Sequence, residues 1–338
     1  MLHSSLLPST GPFLLFRLVR LAAFTVAFTG LLASCSDDDE PETIPANPAK
    51  ITVPQAALHP EGIQYDETYR HFLVSSRTKG QIGRVKDDST YAVLADDPRL
   101  ISTIGLNLDA SRNRVLAAVS DAGVNSTRTS PATQRKLAAV AIFNSTTGGL
   151  ISYTDLGSKA PNYPQHFAND IAVDAQGNAY ITDSFAPVIY KLDLQGNATV
   201  FLENPLLSGG TGFGLNGIVF HPDGYLLVAK TNDGTLFKVP INDPNSFTKV
   251  TTAQSLSLTG ADGLLLTDAQ TLLVVAGNQS TVYRLSTTAA WASATETGKF
   301  ATGAVSPTTI TRRTPGDAYV LYPYQATSPR FAIVKTVF

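Results

Sequence analysis

From about residue 50 onward the chain repeats one pattern: an apolar run of strand length, a tight polar turn, and a second apolar run. The turns carry residues such as Ala175-Gln176-Gly177 and Pro222-Asp223-Gly224, which favour reversal of the chain. No long run of 3.6-residue periodicity is present, so the pattern predicts an all-β fold. The repeat can be registered on the middle of each second strand, at Val74, Ile181, Val228 and Val274. Ten residues further on stand Arg84, Lys191, Lys238 and Arg284, each followed by Val or Leu. Twelve residues back from the last three stand Asn169, Asn216 and Asp262, and thirteen back from Val74 stands Glu61.

Two of these positions are 47 residues apart (169 to 216) and the next two 46 (216 to 262), while the gap from 61 to 169 is 108. That gap holds one further block, built from Leu106–Asp109, Arg114–Ser120 and Leu137–Asn144, with Asp121–Lys136 as an insertion. A sixth block runs from about Thr308 through Tyr319-Val320-Leu321. Six blocks of short strands and Gly-rich turns predict a six-bladed β-propeller with four-stranded blades, in which radial repetition leaves only short edges. The last block reaches a third strand at Phe331–Val337, so Ile51-Thr52-Val53 is expected to supply its outer strand and close the ring.

The residues before this domain read differently. Arg17 and Arg20 precede a weakly polar to apolar run, Leu21–Ser34, of 14 residues, too short to span a bilayer. Residues 1–34 therefore read as a secretory signal. Leu31-Leu32-Ala33-Ser34-Cys35 resembles the lipobox of bacterial lipoproteins, which implies lipidation of Cys35, the chain's single cysteine. An acidic run, Ser36-Asp37-Asp38-Asp39-Glu40, and a Pro-rich spacer at 41–49 complete a tether over 35–49, leaving 50–338 as the propeller domain. The acidic run reads either as a surface-export signal or as a solvated tether. The expected location is the bacterial outer membrane, periplasmic or surface-exposed, held through the lipid alone.

Composition narrows the function classes. Net charge is −2, charged residues make up 15% of the chain, and no basic patch of the kind nucleic acid requires is present. The expected partner is a small molecule, and the protein is expected to act as a monomer. After Cys35 no cysteine remains to pair, so stability has to come from the core.

Glu61, Asn169, Asn216 and Asp262 share one place in the repeat, at the start of the innermost strand, so a ring of blades would converge their side-chain oxygens on its axis. Two carboxylates and two amides without a thiol suit a hard divalent cation, Ca²⁺ ahead of Mg²⁺ or Mn²⁺. The loop between strands two and three lies on the same face, which places the Asp121–Lys136 insertion there, its mobile polar composition reading either as a lid or entry loop or as a passive surface loop. Arg77, Phe185, Lys230, Tyr322 and Tyr324 fall on or near that face as candidate substrate contacts. His59 and His166 precede ring residues and read either as pocket or as loop histidines. Asp109, Asp174 and Asp183 read as turn-bonding residues, and the Arg84/Lys191/Lys238/Arg284 ladder as a solvated blade feature. The equivalent places in blades two and six are Gly105 or Leu106, and about Thr308.

His59-Pro60-Glu61-Gly62, the segment from Asn169 to Asn178, Asn216-Gly217-Ile218 and Asp262-Gly263 resemble the gluconolactonase/regucalcin family of six-bladed propellers over roughly residues 55–335. The resemblance implies that Glu61, Asn216 and Asp262 bind the divalent metal, that Asn169 contacts substrate or its water, and that Asp262 is the general base in hydrolysis of lactones. One departure bears on specificity. Where such enzymes often have Arg two residues before this Asn, the chain has Phe167, flanked by His166 and Ala168, which favours a less anionic or more apolar ester. The alternative is a non-catalytic propeller that binds a glycan, small molecule or protein on the same face. A lyase would not call for this oxygen-rich set.

Overall fold

In four successive blades the innermost strand carries an extra residue near its start relative to the strand it pairs with, at the same place each time. In the computed structural model, which describes residues 46–338 apart from 314, 315, 325 and 326, these bulges lie between Thr103 and Leu106, Ala168 and Ile171, Leu215 and Ile218, and Ala261 and Leu264. A bulge breaks the strict in–out alternation of a strand and re-aims a side chain. The first bulged residue is Ile104, Asn169, Asn216 or Asp262 in turn, so the register read from the sequence coincides with a backbone device.

The strands form six antiparallel sheets of four, each a sequential meander except the last. The innermost strands are Ile63–Asp66, Ser102–Asp109, Ala168–Val173, Leu215–His221, Ala261–Asp268 and Ile310–Arg313, and they contact one another around the axis. The sixth sheet is completed by Lys50–Val53, which pairs antiparallel with Phe331–Lys335, Ile51 opposite Ile333 and Val53 opposite Phe331. The six-bladed propeller closed by an N-terminal strand is thus the observed architecture. The third strand of blade six ends at Lys335, short of the expected Val337. Ile51 and Val53 are fully buried with Phe331, Ile333, Phe72 and Val85, so the closing strand is packed into the seam between blades six and one. Asn47 Nδ2 donates to Asp317 Oδ2 at 3.0 Å and Tyr319 Oη to the Pro48 carbonyl at 2.7 Å, extending the seal.

The glycine that follows most ring positions has a steric reason. A Cβ on Gly62 or Gly105 would stand 2.4 Å from the carbonyl oxygen of Ile104 or Asn169 respectively, and one on Gly217 2.1 Å from that of Asp262. Each blade's bulge rests against the next blade's backbone, and only glycine permits that approach. Blade three has Asp170 in this place, and blade six has Thr309.

The Asp121–Lys136 insertion is pinned rather than loose, contrary to its polar composition. Asp121 is fully buried; it accepts from Gly123 N, Thr129 Oγ1 and Thr133 Oγ1. Asn125 Nδ2 donates to the Ile101 carbonyl, and Arg128 donates to the Asp97 and Leu100 carbonyls and to Asp96 Oδ1. The Arg/Lys ladder also does more than face solvent: Arg84 donates to the Ser145 and Thr146 carbonyls of the next blade, and Lys238 to that of Ala290. The signal, Cys35 and most of the tether lie outside the described residues. Among the described residues no helix is long and apolar enough to cross a membrane.

Candidate functional site

The bulges place Asn169, Asn216 and Asp262 at matching points on three adjacent inner strands, and Glu61 enters blade one just before its inner strand. The remaining two places are taken by Ile104, rather than Gly105 or Leu106, and by Thr308, whose hydroxyl donates to the Glu61 carbonyl at 2.9 Å.

A hydroxyl at the end of each neighbouring second strand fixes this ring. Ser120 Oγ donates to the Ala168 carbonyl at 2.8 Å, Ser184 Oγ to that of Leu215 at 2.6 Å, and Thr231 Oγ1 to that of Ala261 at 2.7 Å. Each of these carbonyls belongs to the residue just before the next blade's ring residue, so the hydroxyls stitch blade to blade. Two of them also set the amides: Asn169 Nδ2 donates to Ser184 Oγ at 2.9 Å and Asn216 Nδ2 to Thr231 Oγ1 at 3.0 Å. The Asn169 nitrogen is thus held at the wall, and the Asn216 nitrogen bonds both the wall and Asp262. In blade five the matching position is Gly277, where a Cβ would meet Asp262 Oδ2 at 3.8 Å.

Three carboxyls share this space. Burial raises the proton affinity of Asp262 well above the usual range, and the charges of Glu61 and Asp170 raise it further, against Arg77 and a hydrogen bond from Asn216. Burial raises Glu61 as well, opposed by Arg77. Asp170 is pushed up to about 7, mainly by burial, although the Ile171 and Ile218 backbone N–H groups favour its charged form. Arg77 is the positive group felt by both Glu61 and Asp262, and its Nε stands 3.5 Å from Glu61 Oε2. That Nε and His59 Nδ1 are buried without a hydrogen-bond partner, and burial with the Arg77 charge lowers His59 to about 4. Half-buried acids that repel one another with a single offsetting cation leave the site short of positive charge.

This donor set fits a hard cation in kind: carboxylate and amide oxygens, the amides oriented by outer hydrogen bonds. Among the described residues no three His, Cys, Asp or Glu side chains form a metal-binding group by themselves, so a cation held here would have to draw on the amides of Asn169 and Asn216.

Other residues singled out from the sequence have partners of their own. Lys230 Nζ is committed to Asp233 Oδ2 at 2.9 Å and the Leu206 carbonyl at 3.1 Å. His166 Nδ1 is 2.8 Å from Asp183 Oδ2, and Tyr190 Oη donates to the same oxygen at 3.0 Å, a buried set that ties two segments of blade three. Asp183 Oδ1 accepts from the Phe167, Phe185 and Ala186 N–H groups, and Asp174 from Asn178 N, as turn-bonding residues do. Asp109 instead accepts from Ser111, Arg112 and Arg114 side chains, because two arginines lie within five residues of it. Tyr322 is buried edge-on to Tyr324 at 6.5 Å. Phe167 is buried against Phe185 and Phe213. Asp170, Ser184 and Thr231 were not singled out as site residues from the sequence. Asp170 was detectable as a departure from the glycine that follows Glu61, Asn216 and Asp262. The two hydroxyls follow their amides by 15 residues (169 to 184, 216 to 231), a spacing the repeat register contained.

A groove of about 1040 Å³ between blades five and six, lined by Arg284, Arg312, Asp317 and Phe338 among others, lies away from the ring. A channel of about 370 Å³ lined by Gln64, Asn107, Asp170, Thr309 and Thr311 runs along the inner strands.

No family model and no curated protein matches this chain. Solved structures do match. The major allergen Mala s 1 of Malassezia sympodialis superposes with a TM-score of 0.69 at 18% identity, over 86% of this chain and 97% of that one. A gluconolactonase from Xanthomonas campestris gives 0.58 at 15%, covering 85% and 89%. A virginiamycin B lyase from Staphylococcus aureus gives 0.56 at 10%, covering 86% and 98%. At these identities the likeness is one of fold: the chain is a six-bladed propeller on the plan that gluconolactonases also use.

Proposed function

We propose that the chain is a divalent-cation-dependent hydrolase of lactones or related esters, acting at the ring of oxygen ligands on the propeller axis. The observation that carries this reading is the acid–amide set, with the half-buried Glu61, Asp170 and Asp262 in one another's field and the buried Asn169 and Asn216 amides held by Ser184 and Thr231. Glu61, Asn216 and Asp262 would hold the cation, Ca²⁺ first and Mg²⁺ or Mn²⁺ as alternatives, with Asn169 beside it. Such a cation, when bound, polarises a carbonyl oxygen and lowers the pKa of water. Asp262, whose burial favours proton uptake, serves as general base toward the attacking water. Asn169, its nitrogen fixed on Ser184, presents its oxygen to substrate or that water. Arg77 offsets the Glu61 charge at 3.5 Å.

The test is hydrolysis of a lactone panel with Ca²⁺, Mg²⁺, Mn²⁺ or Zn²⁺ and with chelator. Activity with at least one metal, lost on chelation, is expected. Asp262→Ala should lower turnover by about 10²-fold or more with the fold retained. No hydrolysis with any of the four metals would sink the proposal.

A second reading, a non-catalytic propeller that binds a glycan, small molecule or protein on this face, is favoured by the Arg77–Glu61 pair, which gives Glu61 a partner without a metal. The same panel separates the two. The proposal extends to location: lipid attached at Cys35 would hold the protein at the outer membrane, and Cys35→Ala should move it to the soluble fraction.

A further inference from the structure

Three phenylalanines from separate segments meet beside the ring. Phe185 and Phe213 lie near-parallel, centroids 5.0 Å apart at 27°, and Phe167 stands edge-on to both, at 5.5 Å and 5.2 Å. Phe167 is two residues before Asn169 and Phe213 three before Asn216. Ser184 joins them to the site: its N–H donates to the Phe167 carbonyl and its carbonyl accepts from Gly214 N, both at 2.8 Å, while its hydroxyl holds Asn169. Phe213 is the last side chain of the segment Ser208-Gly209-Gly210-Thr211-Gly212-Phe213-Gly214, whose final glycine is pinned again by Thr231 N donating to the Gly214 carbonyl at 2.8 Å. Phe167 is buried, but Phe213 remains 39% exposed. The Arg135 guanidinium, from the end of the blade-two insertion, lies 4.3 Å over the Phe185 ring, so one face of the cluster already accepts a flat group by stacking.

We propose that these rings form an aromatic subsite, with Phe213 as its specificity-determining residue, that takes a planar aromatic ring of the substrate. A polyhydroxylated ligand would find no hydrogen-bond partner on three phenyl rings and would be desolvated at a cost. A planar ring gains offset-stacked and edge-on contacts of the kind the cluster already makes at 5.0–5.5 Å. Ser184 bonds both the Phe167 carbonyl and the Asn169 side chain, which ties the cluster to the site residue that faces substrate in the proposed reaction. The inference rests on the hydrolase reading for the ligand's fate but not for its binding.

Phe213 is the residue to change, since its exposure leaves the core intact when it is truncated. The measurements are kcat/KM for an aryl-fused lactone, 2-coumaranone, against γ-butyrolactone, and calorimetric binding of phenylacetamide as a probe the site does not turn over. Phe213→Ala should lower kcat/KM for 2-coumaranone about tenfold, through KM, leave γ-butyrolactone within about twofold, and weaken phenylacetamide about tenfold. Phe213→Tyr should restore both losses. Equal losses on both lactones, or phenylacetamide binding unchanged by Phe213→Ala, would overturn the subsite. Phenylacetamide binding that depends on Phe213 in a protein that hydrolyses no lactone would support the subsite and remove the hydrolase reading.

Discussion

The Asn169 amide donates to the Ser184 hydroxyl at 2.9 Å, and the same hydroxyl donates to the Leu215 carbonyl of the next blade at 2.6 Å. One side chain thereby orients a site residue and fastens two blades. Thr231 repeats the arrangement for Asn216 and Ala261. Orientation of the amides is therefore a product of ring closure.

Replacing Ser184 by Ala leaves the Asn169 nitrogen and the Leu215 carbonyl without their partner. Ca²⁺ affinity or turnover should fall about 10–100-fold, as for loss of groups that orient metal ligands, and stability by about 1–3 kcal/mol. Calorimetric Ca²⁺ titration and a thermal melt report the two effects separately. A variant with unchanged affinity would show that the amide needs no anchoring.

Gly217 has no room for a side chain, because the obstructing atom is the Asp262 carbonyl oxygen, 2.1 Å from where a Cβ would stand. Gly217→Ala should lower the melting temperature by at least several degrees, through overpacking that costs about 1–3 kcal/mol. Gly212→Ala is the control, since its nearest neighbour would be 3.9 Å away. Equal melts for the two variants would contradict the close approach of blades at the ring.

Asp170 makes stability depend on pH. Its folded pKa, about 7, lies above its ordinary 3.8, so between these values the folded chain keeps a proton that the unfolded chain has lost. Stability should fall as pH rises from about 4 to about 7, by up to about 4 kcal/mol for this group. Asp262 and Glu61, shifted in the same direction, steepen the fall. Denaturation midpoints in chelator at pH 4.5 and 7.5 should therefore differ less in Asp170→Asn than in the parent chain. An identical difference in both would remove the buried charge from the account.

Deleting residues 50–54 removes the outer strand of blade six and with it the buried Ile51 and Val53. The thermal transition should collapse. An unchanged melt would mean that the ring closes without that strand.

The blades were legible because each repeat had to restate the same two strands, and because Ile51 and Val53 alternate as a strand with one packed face. The ring residues were legible for a related reason: a bulge at one fixed place demands one fixed register. What stayed hidden depends on contacts between repeats. Ile104 sits where Gly105 or Leu106 was expected, since an apolar residue in a bulge gives no sign of which residue is the extra one. The insertion read as mobile because its anchors, Asp96, Leu100 and Ile101, lie outside it in sequence. The Phe167–Phe185–Phe213 cluster joins three segments, and no spacing within one repeat announces it.

The most direct measurement is a crystal structure of the protein grown with Ca²⁺. The account predicts density on the axis with oxygens of Glu61, Asn216 and Asp262 about 2.3–2.6 Å away. An axis without that density, with Arg77 still against Glu61, would contradict it.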